Sequence, residues 1–410
     1  MDNINLNLEN FIMPIKLNYD NEYYSELKQR LNNYKDYIKN LNFLSKNTID
    51  NIEHNINLII GSVEDYYNAN IADAKNKIFQ LLDKYKSDNF IISELNKSFA
   101  FRSIVPFSDL LDEKKDVYIN DYDKMNTYSL AFFRARIGNS AFEKKDMLHI
   151  PFCNRELVST QRFSIPGVPC LYLGTTSYVC WLEMDKPQDS IFNVSSFIPP
   201  LDLKILNLVI DYRLVNKQLK VTIEINEDKK DYNINLLESM LEIFPLVYAT
   251  SFTIKNKERR FKSEYIVSQL IMQCLSDLNI HGIAYASKKV VDSILAFPQC
   301  INLAIPMKIN KKFKIQNESD NYADMCQNIL LTNPVNFSEF IKMGGNNKTH
   351  TIGNWTPTFS YRLFGNGYFP ESKIYLSGKE IYYKDTEFAN FDNYIFALKH
   401  DKADIFISDR

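Results

Sequence analysis

The chain has 410 residues, which at the usual domain size is enough for two or three domains. Hydrophobic residues make up 45% and charged residues 24%, a balance that supports packed cores and excludes a wholly disordered chain. Lys and Arg number 48 against 50 Asp and Glu, a net charge of −2, which argues against a protein built mainly to grip nucleic acid and leaves only a local basic site open. With 11 glycines and neither G-x-G-x-x-G nor G-x-x-x-x-G-K-[ST], a Rossmann or P-loop nucleotide site is not expected. Cys153, Cys170, Cys180, Cys274, Cys300 and Cys326 form no C-x-x-C, and histidine is too scarce nearby to complete a zinc set. They read as reduced, mostly buried thiols of a cytoplasmic protein. The polar, acidic start MDNINLNLEN does not fit a secretory signal, and no apolar run reaches the length of a membrane span.

The first hundred residues read as helical. Tyr23, Leu27, Leu31, Tyr34, Ile38 and Leu41 recur at spacings of three and four and share one helix face. Ile49, Ile52, Ile56, Ile59 and Val63 mark a second helix, with Thr48 and Asp50 as caps; Ala74, Ile78, Leu82 and Tyr85 mark a third. A helical bundle is expected over residues 1–105. Beyond Pro106 the texture changes to short β-like runs, Ser129 to Phe133 and Cys170 to Leu173, the second approached through Pro166, Gly167 and Pro169. Asn226 to Tyr232 is charged and reads as a loop or hairpin. Phe261 to Leu278 reads as a helix and Ile283 to Tyr285 as a strand. This mixture predicts an α+β domain over 125–310. The last segment, 311–410, gathers Gly344, Gly345, Gly353, Gly365 and Gly367 and carries a hairpin from Lys373 to Tyr383 around Ser377-Gly378. It reads as an α+β extension.

The centre of the chain places polar residues in apolar company: Arg134 and Arg136 in Phe-Phe-Arg-Ala-Arg, Arg162 in Gln-Arg-Phe-Ser, Tyr172 in Leu-Tyr-Leu, Glu183 after Cys180-Trp181-Leu182, and Ser287 after Ile283-Ala284-Tyr285-Ala286. A charge in such surroundings is partly desolvated and must find partners. From composition alone the expectation is that Glu183 pairs with one of these arginines as a buried salt bridge. Tyr172 reads equally as core and Ser287 as a strand end. Lys255, Lys257, Arg259, Arg260 and Lys262 surround Phe261 as a basic cluster, read first as a solvated loop or helix start.

Taken in order, these pieces resemble the RES-domain family, the toxin half of bacterial toxin–antitoxin pairs. The resemblance runs from residue 130 to 306. It rests on Phe133-Arg134, Gln161-Arg162-Phe163-Ser164, Pro166-Gly167, Leu171-Tyr172-Leu173, Trp181-Leu182-Glu183, Glu264-Tyr265-Ile266-Val267-Ser268-Gln269 and Gly282-Ile283-Ala284-Tyr285-Ala286-Ser287. Gln161 stands where the family has Gly, the insert between Glu183 and Phe261 is long, and Arg134 and Arg136 compete for the first arginine role, with Arg134 favoured because it follows the aromatic pair. More faintly, the N-terminal bundle resembles the HEPN-like helical domains found in front of RES domains. His54 has no upstream Arg at the nuclease spacing, so no nuclease activity is carried over.

The resemblance implies an ADP-ribosyltransferase-like fold and an NAD⁺-consuming toxin or antiphage effector that cleaves the nicotinamide–ribose bond as a glycohydrolase or phosphorylase. Glu183 would stabilise the oxocarbenium-like ribose and Arg134 and Arg162 would hold the diphosphate. Ser287 would complete the catalytic set, with Tyr172, Arg136, Ser164 and Tyr265 binding substrate. NAD⁺ enters as substrate, with no cofactor and no metal. Water, phosphate and a protein side chain all stay open as acceptor. The alternatives are ADP-ribosyl transfer to a macromolecular target and an inactive nucleotide-binding sensor. Expected partners are a cognate antitoxin or a phage-derived trigger, and a second copy through the bundle, which would serve as sensor, dimerisation surface or self-inhibitory module.

Overall fold

The computed structural model describes residues 8–41, 44–101, 130–212, 215, 227–256, 258–292, 296–309, 317–343 and 372–406. In chain order the strands are β1 (Ile15–Leu17), β2 (Ile92–Glu94), β3 (Phe132–Ile137), β4 (Cys170–Gly174), β5 (Phe192–Ile198), β6 (Lys204–Leu208), β7 (Phe252–Ile254), β8 (Gly282–Ala286), β9 (Ile301–Pro306), β10 (Leu330–Leu331), β11 (Val335–Asn336), β12 (Lys373–Leu376) and β13 (Lys379–Tyr382). The α-helices are α1 (Tyr23–Lys39), α2 (Lys46–Tyr67), α3 (Ile71–Asp83), α4 (Ser177–Glu183), α5 (Glu227–Ala249), α6 (Ile266–Cys274), α7 (Phe337–Lys342) and α8 (Glu387–Ala397). The chain is thus of mixed α+β content. It forms two compact units, each assembled from separated stretches: Met1–Glu94, Thr160–Ile165 and Lys204–Ile283 in the first, and Leu95–Ser159, Pro166–Leu203 and Ala284–Arg410 in the second. These units cut across the three consecutive segments expected from the sequence.

In the first unit the three expected helices form. Tyr23, Leu27, Leu31, Tyr34 and Ile38 of α1 are buried, as are Ile52, Ile56, Ile59 and Val63 of α2 and Ala74, Ile78 and Leu82 of α3. Each large aliphatic removed from water contributes roughly 1.5–3 kcal/mol. The cap of α2 differs from expectation: Ser45 precedes the helix and accepts from the Thr48 N–H, whereas Thr48 and Asp50 lie inside it. The helices do not stand alone, because α5 packs among them. Tyr34 donates to the Leu241 carbonyl at 2.9 Å and stacks on Phe244, and Glu242 accepts from Tyr85 at 2.7 Å and Asn51 at 2.9 Å. The charged stretch expected as a loop or hairpin lies in a helix instead, since α5 runs from Glu227. The helix expected from Phe261 to Leu278 is shorter, a 3₁₀ turn Ser263–Tyr265 followed by α6. The basic cluster includes a fixed member: Arg259 pairs with Asp20 and, at 2.8 Å, with Glu264, while Lys257 lies outside the described residues.

The second unit is built on a sheet in the order β10-β5-β3-β4-β9, with β11 also paired to β5. The pairs β3/β5, β3/β4 and β4/β9 are antiparallel. The register sets Tyr172 opposite Ala304 and Gly174 opposite Asn302, so these four residues share a face. The first β-like run is displaced: the strand begins at Phe132 and continues through both arginines to Ile137. The turn before β4 uses Gly167 at φ +73°. The Lys373–Tyr383 hairpin forms as expected, with Ser377 (φ +49°) and Gly378 (φ +78°) as the two turn residues. The glycines 344, 345, 353, 365 and 367 lie outside the described residues. All six cysteines are free and five are buried. Among the described residues no helix is long and apolar enough to cross a membrane, and no group of three His, Cys, Asp or Glu could hold a metal.

The C-terminal stretch belongs to this unit and fastens α4. Asp392, 1% exposed on α8, accepts from the Ser177 backbone N–H at 2.9 Å and from Tyr383 Oη at 2.6 Å. Tyr178 donates to the Tyr375 carbonyl, and Tyr178 and Trp181 pack their rings on Phe388. Replacing Asp392 by Ala removes the acceptor that the Ser177 N–H and the Tyr383 hydroxyl share, so Asp392→Ala should destabilise the protein by roughly 2–4 kcal/mol in urea unfolding. A change below about 0.5 kcal/mol, the range of ordinary surface substitutions, would show that α4 does not depend on this carboxylate.

Candidate functional site

The short helix α4 carries Glu183 at its last position. Thr176 caps its start, accepting from the Val179 N–H at 3.1 Å and donating to the Gln299 carbonyl at 2.8 Å; Thr175 donates to the Pro298 carbonyl at 3.0 Å. Gly174 lets the helix close onto β4, because a Cβ there would stand 2.5 Å from Val179 Cγ1 and 3.0 Å from Cys180 Sγ. The helix ends where Asp185 and Lys186 take positive φ. These contacts bring Glu183 beside the end of β8 and the start of β9.

Glu183 does not pair with an arginine. Its Oε1 accepts from Ser287 Oγ at 2.7 Å and from Asn302 Nδ2 at 2.9 Å. Among the described residues nothing hydrogen-bonds to Oε2. Ser287 is 2% exposed and held by its own backbone, its N–H bonding the Cys300 carbonyl. Its Oγ also accepts from the Lys289 N–H at 3.2 Å, so its proton points at Glu183. The Lys289 ammonium donates to the Glu183 carbonyl at 2.7 Å and to Asp185 at 2.9 Å, placing a cation at the C-terminal end of α4.

Arg134 is joined to β4 by a 3.5 Å bond from its guanidinium to the Tyr172 carbonyl, and its Nε is buried with no partner among the described residues. Burial, with the adjacent Arg136 charge, brings Arg134 down to about 10, which leaves it cationic at neutral pH. Arg136 lies over the Phe142 ring instead. Tyr172 is half-buried on the face it shares with Asn302, and burial raises its hydroxyl well above the ordinary range. Burial likewise pushes the Cys170 thiol up to about 12, and Cys180, also raised, donates to the Phe133 carbonyl; both read as inert neighbours. The second unit therefore holds Arg134, Tyr172, Glu183 and Ser287 as two separate pairings, Glu183 with Ser287 and Arg134 with the Tyr172 carbonyl, and Arg136 lies on the same strand as Arg134.

The remaining expected residues lie in the first unit. Arg162 is 8% exposed, lies over Phe163, and reaches the Thr250 carbonyl at 3.5 Å. Ser164 is used in a local turn, its Oγ accepting from the Gln161 N–H and donating to the Gln161 carbonyl. Tyr265 is half-buried at the start of α6, with Lys262 over its ring. Sequence reasoning missed Asn302 and Lys289. Asn302 had a signal: an amide inside Cys-Ile-Asn-Leu-Ala-Ile, an otherwise apolar strand, must find a partner.

A carboxylate with one oxygen held by two donors and the other open is set to accept a hydrogen bond or to stabilise a neighbouring positive charge. A guanidinium with unused donors suits an anionic group.

No family model matches the chain. Over 215 residues it is 33% identical to a protein of Bacillus subtilis (strain 168) named "Putative toxin YopC". The chain is similar to a protein named as a toxin. The match covers 51% of this chain and 47% of the relative, so the chain spans about half that protein's length. The crystal structure of the M. tuberculosis MbcT-MbcA toxin-antitoxin complex matches over 53% of this chain and 88% of that chain, at 11% identity and a TM-score of 0.27, a likeness too slight to carry an argument.

His149 was not anticipated. It is buried, with Nε2 accepting from the Ala323 N–H at 3.0 Å and Nδ1 facing the Ile150 carbonyl at 2.7 Å, an arrangement that needs a neutral ring protonated on Nδ1. Burial, then the Arg134 charge, lower it to about 4 from an ordinary 6.5. The unfolded chain therefore binds the proton more readily between these values. His149 contributes its full stabilisation, on the order of 3 kcal/mol, above about pH 6.5, and that contribution is lost as pH falls towards 4. Urea midpoints measured from pH 7 to 4.5 should fall steeply for wild type and less steeply for His149→Gln. Equal slopes would remove His149 as the source.

Proposed function

We propose that the chain is a toxin enzyme that consumes NAD⁺ by cleaving its nicotinamide–ribose bond on an ADP-ribosyltransferase-like domain. The observation that carries this reading is the Glu183 carboxylate, pinned at Oε1 by Ser287 and Asn302 with Oε2 open. The resemblance of the ordered motifs to the RES family and the similarity to a protein named as a toxin support it.

In this reaction the bond between ribose C1 and the nicotinamide nitrogen breaks, and its electron pair leaves with neutral nicotinamide. The ribose becomes oxocarbenium-like. Glu183 Oε2 accepts from a ribose hydroxyl and stabilises the developing positive charge, as carboxylates do in glycoside cleavage. Arg134, cationic and with donors unused among the described residues, binds a diphosphate oxygen. The Tyr172 ring offers a surface for nicotinamide. A neutral leaving group needs no strong acid. Such an activity needs restraint, so a cognate antitoxin or an infection signal is the proposed partner, and the reaction takes place inside the cell where NAD⁺ is found.

Purified protein should release nicotinamide from NAD⁺, followed by chromatography, and Glu183→Ala should lower the rate on the order of 100-fold or more. The co-product names the acceptor: free ADP-ribose for water, its phosphorylated form for phosphate, a labelled macromolecule for transfer. No release by the wild type, or equal release by the variant, would overturn the reading.

A further inference from the structure

Resting on that reading, we propose that Asn302 is a positioning residue, which with Ser287 locks Oε1 of Glu183 so that Oε2 alone is presented to the ribose hydroxyl.

Asn302 is 5% exposed on β9, between Ile301 and Leu303, both fully buried. A buried amide in such a strand must be hydrogen-bonded, and Glu183 Oε1 takes its Nδ2 at 2.9 Å. The strand register makes the contact possible. Asn302 sits directly opposite Gly174, on the same sheet face. That face is the one α4 covers, because the missing Cβ of Gly174 is the point at which Val179 and Cys180 come closest. The glycine lets the helix down onto the sheet, and the asparagine opposite reaches the last residue of that helix.

The carboxylate torsion of a glutamate is soft and broadly two-fold. One donor would leave it free to turn about that bond. Two donors on Oε1, from the end of β8 and from β9, oppose that turn. The Ser287 hydroxyl is itself oriented by the Lys289 N–H, and the Lys289 ammonium holds the main-chain carbonyl of Glu183. The carboxyl group is thus constrained at its side chain and at its backbone, while Oε2 remains open among the described residues.

The test uses the full-length chain, with NAD⁺ as substrate and nicotinamide release measured from pH 5.5 to 7.5. Asn302→Asp keeps the shape of the side chain but replaces the donor with a second carboxylate against Oε1. Two such groups repel unless they share a proton. At pH 7.5 kcat should fall on the order of 10- to 100-fold with KM within about twofold of wild type. Towards pH 5.5 the activity relative to wild type should recover at least about fivefold, because the shared proton restores a donor to Oε1. Asn302→Ala, which cannot regain a donor, should show the same fall in kcat without acid recovery. Unchanged kcat in both variants, or a loss that is independent of pH in Asn302→Asp and tracks the fraction of folded protein by circular dichroism, would overturn the positioning role. Should Asn302→Asp not fold, the Asn302→Ala split decides: kcat down with KM held supports it, and KM rising in step with the loss overturns it. An inactive wild type overturns the NAD⁺ reading and this inference together, whereas an active wild type with indifferent variants overturns this inference alone.

Discussion

A helix of seven residues has no stability of its own in water, so the candidate site depends on what clamps α4 from outside. The clamp acts at every part of the helix. Thr175 and Thr176 tie its start to the stretch before β9, and Asp392 bonds its first backbone N–H. Tyr178 and Trp181 pack against Phe388, and Lys289 takes its last carbonyl. Gly174 sets how near the helix can come to the sheet. Remove these and Glu183 is a carboxylate on a loop; with them it is a carboxylate whose position is determined on both sides.

The first unit follows a different logic. Its helices α1 to α3 bury one face each, but the surface that receives them comes largely from α5, nearly two hundred positions further along the chain in the case of Asn51 and Glu242. The same unit contains Arg162 and Tyr265. The N-terminal helices are therefore not an appendage that could be removed without consequence, and any regulatory role for them has to be exercised through a core they share with α5 and α6.

Much of this was legible in the sequence where local pattern decides the outcome. The three N-terminal helices follow from spacings of three and four, and the Ser377-Gly378 hairpin from turn residues that tolerate positive φ. Arg134, Tyr172, Glu183 and Ser287 stand out because a polar side chain among apolar neighbours needs a reason. What was not legible depends on pairing between distant positions. The partner of Glu183 was expected to be an arginine, since opposite charge is the simplest answer to desolvation. The structure uses a serine and an amide, 104 and 119 positions away, and no local pattern connects them. The start of α5 looked like a loop because its residues are charged, and the helix that includes them shows its apolar pattern only further along, at Leu236, Leu237, Met240 and Leu241.

The Ser177–Asp392 bond has a further meaning in time. Its partners are 215 positions apart, and a ribosome makes the chain from the N-terminus onward. When Glu183 emerges, the sheet strand that supplies Asn302, the turn that supplies Ser287 and the helix that supplies Asp392 do not yet exist. The last part of the clamp arrives with α8, whose Asp392 is 215 positions beyond the Ser177 it holds. A nascent or prematurely stopped chain therefore carries the acidic residue but not the means to hold it, and the order of translation itself keeps the site unassembled until α8 has been made.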